Sequence, residues 1–170
     1  NLQWPLENTG QTGGLADSDI DADEAWALPG ESDPVVVVVI DSGIDATHPD
    51  LADNVWTNPG EVPGDNVDND DNGYVDDVHG WDVVENDGDP NDLHGHGTHV
   101  AGTIAALTDN GEGVAGVAPG VQVAGCRMFD ANGGAAADGG IRCLNYVRAL
   151  RAAGVPVVAT NNSWGGGAES

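Results

Sequence analysis

The sequence predicts an α/β fold, a doubly wound, mainly parallel sheet with helices on both faces. Residues 35–40 (VVVVVI) are a continuous β-branched run without polar alternation, the pattern of a strand buried on both faces. Two segments of helical hydrophobic period, 96–107 and 138–153, follow it. Apolar runs at 117–127 and 155–160 complete an order of strand, helix, strand, helix, strand, which argues for parallel strands joined by helical crossovers. The length of 170 residues suits one domain, and there is no internal repeat.

Each element has a local reason. Residues 1–33 are loop-rich, with turns at Asn8-Thr9-Gly10 and Gly13-Gly14, and residues 21–28 (DADEAWAL) form a short helix with an acidic first turn, stopped by Pro29-Gly30. Residues 53–93 are a polar insertion rich in Asp, Asn and Gly, longer than an ordinary connection and so expected to bind something. The helix over 96–107 is built of small residues and ends at Gly111 and Gly113. In the helix over 138–153, Ile141, Leu144, Tyr146, Val147 and Leu150 supply the apolar face, Asp138 is the expected N-cap, and Gly154 closes the last turn. Residues 161–167 read as loop.

Charge excludes several functions. Four Lys+Arg against 29 Asp+Glu give a formal net charge of −25, and no lysine is present. Residues 1–126 contain no basic side chain except histidine; Arg127, Arg142, Arg148 and Arg151 all come later. No basic patch exists to neutralise phosphates, so nucleic acid is not an expected partner. Anionic membranes would repel the chain, and its longest aliphatic run of six residues is far short of a span. No charged-then-apolar leader opens the chain, as expected where a secretion signal has been removed or lies outside it.

Asp41 directly follows the buried strand, where α/β sheets place their ligands, although a turn or cap aspartate would sit there too. His96 opens a helix between Gly95 and Gly97, which leave room for a close approach. Zinc at His94, His96 and His99 is disfavoured, because helical geometry points His96 and His99 apart and no cysteine is near. In the insertion, Asp68-x-Asp70-x-Asn72-Gly73-x-x-Asp76 matches the first half of an oxygen-ligand calcium loop. His79 stands at its twelfth position, so Asp77 or a distant group is needed to complete the shell. Cys126 and Cys143, at a strand end and in the next helix, form either a disulfide or two buried free thiols.

Taken together, residues 35–51 (VVVVVIDSGIDATHPDL), 96–106 (HGTHVAGTIAA), 116–119 (GVAP) and 161–167 (NNSWGGG) resemble the subtilisin-like serine proteases, the subtilases. The resemblance runs from about Gln3 to Ser170 and covers the N-terminal part of that family's catalytic domain. It implies that Asp41 is the triad aspartate and His96 the general base. It implies that Ser163, Trp164 and Gly165 pair with an extended peptide substrate, with Gly133 and Gly134 on the opposite wall. None of Ser18, Ser32, Ser42, Ser163 and Ser170 lies in the family's nucleophile context, so the serine is expected from the C-terminal remainder of the domain.

Calcium loops of thermostable members resemble a second cluster, Asp82, Glu85, Asp87, Asp89 and Asn91. A third site is suggested at Asp50 with the 107–114 loop, where Asp109 and Asn110 are candidate ligands. Two Ca²⁺ ions are therefore expected and a third suggested, their oxygen donors suiting a hard cation. Calcium loops, paired cysteines and the resemblance favour an extracellular setting. The reading is the N-terminal part of a secreted, calcium-stabilised serine endopeptidase; the alternative is a catalytically inactive calcium-dependent binding or structural module.

Overall fold

In the computed structural model, which describes residues 3–28 and 34–165, four parallel strands form one sheet. The elements run α1 (Ala22–Trp26), β1 (Val36–Asp41), a 3-10 turn (Ala52–Asn54), β2 (Gly80–Asp82), α2 (His96–Ala105), β3 (Gln122–Arg127), α3 (Gly139–Ala152) and β4 (Val157–Asn161). Their order in the sheet is β2-β3-β1-β4. The first long strand in the chain is therefore central, flanked by the two that follow it last.

The period of two along a strand divides the core. Val36, Val38 and Ile40 of β1 face Cys143, Tyr146 and Leu150 of α3. Val39 faces Val100, Ala101 and Ala105 of α2 on the opposite side. A strand sandwiched in this way has no polar face, which is why residues 35–40 show no alternation. Helices on both faces of a parallel sheet are the doubly wound architecture expected.

Several boundaries and faces differ from expectation. β3 begins at Gln122 rather than at residue 117; the backbone of Val117 and Ala118 instead bonds to Thr103 and Ile104 at the end of α2. The segment 53–93 is not only loop. It carries β2, pairs Trp81 with Cys126 in the sheet, and buries Trp56, Trp81 and Val83 in the core. On α3 the buried face is Gly139, Cys143, Tyr146 and Leu150, whereas Ile141 (68% exposed) and Leu144 (53%) face outward. Residue 141 is two positions from 143, about 200° around a helix, so the two cannot share a face. Asp138 precedes α3 but its side chain makes no capping bond. Pro29-Gly30, the expected stop of α1, lies outside the described residues, as do the far glycines of the 161–167 loop.

Cys126 and Cys143 are joined, with Cα atoms 5.8 Å apart, fixing β3 to α3 within the core. Among the described residues no helix is long and apolar enough to cross a membrane. Replacing both cysteines by alanine in the intact protein is expected to lower its unfolding free energy by about 3 kcal/mol, the stabilisation a cross-link of this span gives. Denaturant melts of oxidised wild type and the double variant check this.

Candidate active site

The carboxyl ends of β1, β2 and β3 bring Asp41, Asp82 and Arg127 into register. Asp41 is buried, and its Oδ1 accepts the Ser42 N–H at 2.7 Å and His96 Nδ1 at 2.7 Å. A carboxylate only accepts, so Nδ1 carries a proton, and in the neutral ring Nε2 is the atom left with a lone pair. Asp41 Oδ2 is buried and makes no hydrogen bond among the described residues. His96 is the first residue of α2, and its side chain stays about half exposed.

Glycine sets this pairing. A Cβ on Gly97 would collide with the Gly43 carbonyl oxygen and crowd Asp41 Cβ, so only glycine lets the first turn of α2 lie against the turn after β1. Gly43 itself has φ +111° and no room for a side chain beside the Pro90 carbonyl. Residues 43, 90 and 97 are thus pressed together, and the imidazole reaches the carboxylate across 55 residues of sequence.

Sequence reasoning missed Asp92. Its Oδ1 accepts from Ser42 Oγ (2.9 Å) and from the N–H groups of His94 and Gly95; its Oδ2 accepts from Thr98 N (2.9 Å) and Thr98 Oγ1 (2.6 Å). Burial pushes its carboxyl up, but the bonds from Thr98, Gly95 and His94 outweigh this and hold it below the usual aspartate range. The only sequence signal was an aspartate four residues before His96.

The expected substrate walls both lie at the carboxyl edge. Pairing of β4 with β1 ends at Val39, and the Trp164 indole N–H donates to the Ile40 carbonyl at 2.8 Å. Gly133 and Gly134 lie in a turn closed by Asp130, whose carboxylate accepts the Gly134 N–H. Phe129 bridges these regions: its backbone pairs with Ala135 and its ring meets Trp164 edge-on at 6.2 Å. Ser163 Oγ donates to Asn161, and Gly165 has open space around it. His94 stacks edge-on near His96, with ring centroids 6.4 Å apart. Among the described residues no serine hydroxyl bonds to His96; Ser42 is committed to Asp92 and Gly97.

The acidic residues are arranged in three different ways. Carboxylate oxygens of Glu61, Asp70 and Asp77 lie within 4.8 Å of one another, with Glu61 and Asp77 buried. Asp77 is pushed up to about 6, first by burial, which the bonds from Tyr146, Asn58 and Asn72 only partly offset. Asn72 joins this group through its amide, whereas Asp68 accepts the N–H groups of Asn72 and Gly73 and Asp76 turns to those of Gly64 and Asn66. Glu61, which the sequence did not single out, lies upstream, accepts the N–H groups of Asn69, Asp70 and Asp76, and stands beside Asp77.

In the second cluster Asp82 is paired with Arg127 and accepts the N–H groups of Val84 and Glu85, so both its oxygens are engaged. Asp87 and Asp89 accept the N–H groups of Asp89 and Asn91, respectively. At the third, Asp50 accepts Asn110 Nδ2 (2.7 Å) and the Val114 N–H (2.8 Å). Of these three clusters the first alone converges carboxylates on a common point, as the exposed Asp17, Asp21 and Glu24 also do elsewhere among the described residues, and its carboxylate oxygens fit a hard cation.

The chain matches the model of the subtilase family over residues 32–170. It is 42% identical over 131 residues to subtilisin-like protease 1 of Plasmodium berghei, covering 76% of this chain and 20% of that protein. It is 36% identical over 114 residues to thermitase of Thermoactinomyces vulgaris, covering 67% of this chain and 33% of that protein. Among solved structures, the serine protease of Aeromonas sobria superposes with a TM-score of 0.65 at 31% identity, covering 98% of this chain and 25% of that one. The chain thus spans about a fifth of the length of the first of these relatives.

Gly97→Ala is expected to push the first turn of α2 off the Gly43 turn and break the Asp41–His96 contact. The downfield proton resonance expected of the wild-type imidazole N–H held by a carboxylate should then be missing from the spectrum of the variant.

Proposed function

The chain belongs to the subtilase family of serine proteases, and we propose that it is the N-terminal part of a secreted, calcium-stabilised endopeptidase, carrying two of three triad residues. The observation that carries this reading is the buried Asp41 carboxylate accepting the Nδ1 proton of His96 while the rest of the ring stays open to solvent. Nε2 then takes the proton of a serine hydroxyl as it attacks the substrate carbonyl, and returns it to the leaving amine. Asp41 keeps the tautomer and stabilises the imidazolium formed in between. The serine comes from the remainder of the protein, so residues 1–170 alone do not hydrolyse peptides.

An extended peptide or protein segment is the substrate, its backbone lying between Ser163-Trp164-Gly165 and the Gly133-Gly134 turn. Both regions sit at the carboxyl edge of the sheet, one bonded to Ile40 next to Asp41 and the two joined through Phe129, which supports that assignment. Glu61, Asp70 and Asp77 are the residues that would hold Ca²⁺; the ion would neutralise carboxylates gathered against the core. Asp68, Asp76, the 82–91 loop and Asp50 with Asn110 remain further candidates of the same chemistry. A secreted setting is supported by the disulfide.

A fluorophosphonate probe is expected to label the intact protein at a serine beyond residue 170. Asp41→Asn should lower kcat on the order of 10⁴-fold, the usual effect of presenting the wrong tautomer. A catalytically inactive calcium-dependent module predicts no labelling at all, with unchanged calcium-dependent stability.

Chelation of calcium is expected to lower the melting temperature, and re-addition at about 100 times Kd to restore about 2.7 kcal/mol per site. In Glu61→Gln most of that calcium response should be lost. A full response in that variant would exclude the Glu61 cluster as the main site.

A further inference from the structure

We infer that Asp92 is a positioning residue for His96, locking the turn after β1 to the first turn of α2 through two hydroxyl groups of fixed orientation. Ser42 Oγ accepts the Gly97 N–H at 2.9 Å and must therefore send its own proton elsewhere; it sends it to Asp92. Thr98 Oγ1 accepts the Asp45 N–H at 3.0 Å and likewise donates to Asp92. Each hydroxyl thus joins the two segments, Ser42 reaching forward to α2 and Thr98 reaching back to the β1 turn. Ser42 directly follows Asp41 in sequence, and Thr98 lies two residues after His96.

A carboxylate is required for this. Asp92 meets five donors and offers none, which suits a group that only accepts. An asparagine has one accepting oxygen, so in either orientation its NH2 would face at least two donors. The hydroxyl on that side, Ser42 Oγ or Thr98 Oγ1, would then have to turn its proton away, breaking the link it makes to this residue between the two segments. The same carboxylate stands at the amino end of α2, where negative charge is favourable. Asp92 touches neither His96 nor a place for substrate, so it acts through the helix turn it holds.

The inference rests on the endopeptidase reading for its kinetic test, and a second readout is independent of it. In the intact protein, Asp92→Asn is expected to lower kcat per titrated active site by about 10- to 100-fold, the scale of an ångström-sized misplacement. KM should stay within about twofold. Thr98→Val, which removes one link, should give a smaller loss in the same direction, and the exposed Asp53→Asn none. Titration with a fluorophosphonate normalises for misfolded protein, so an unchanged kcat per site, with loss only in the titratable fraction, would overturn the inference. If the wild type does not label, the endopeptidase reading fails, and the imidazole proton resonance decides. Its loss or displacement in Asp92→Asn upholds the positioning role, and its retention at the wild-type frequency sinks it.

Discussion

The chemistry at the carboxyl edge depends on one close approach of backbones. The first turn of α2 lies against the turn after β1 because Gly97 and Gly43 have no side chains to hold them apart. Asp41 comes to the edge with the central strand, and His96 comes with the helix. Neither element alone makes a site. Glycine permits the approach, and the Ser42, Asp92 and Thr98 bonds hold it, so that permission and enforcement come from different residues.

The excess of negative charge is handled locally rather than as a uniform shell. Arg127 is paired with Asp82, and Arg142 reaches the Val83 carbonyl and Asn86, so two of the four cations serve the 82–86 stretch. Backbone N–H groups absorb many of the other carboxylates: Asp50, Asp68, Asp76 and Asp92 each accept at least one. The Glu61, Asp70 and Asp77 group differs because its members face one another next to Tyr146 and the aromatic core. Burial raises Asp77 and, well above its ordinary range, Tyr146 as well, so this is where charge is costly and a cation would matter.

The central strand and both crossover helices were legible because burial on two faces and helical periods leave compositional traces. β2 was not, since three residues containing one apolar side chain leave none; Trp81 is drawn into the sheet by pairing with β3 and by packing on Tyr74. Ile141 and Leu144 misled because hydrophobicity was read without its angular phase. In the site, Asp41 and His96 were readable from motif and position. Asp92 and Glu61 were not, because their work is to accept backbone N–H groups brought close only by folding.

The position of β1 in the sheet has a kinetic consequence. It is the first long strand to be synthesised, yet its partners begin at Gln122 and Val157. Closing loops of that length delays pairing, and sheets of high contact order fold slowly. Until β3 emerges, the run of valines at 35–39 has no native strand partner and has the makeup of a sticky β-segment. Asp33-Pro34 before it and Asp41 after it are the charge and proline breaks that guard such a run. The aspartate that orients the histidine in the folded protein thus also serves as a gatekeeper on the nascent chain.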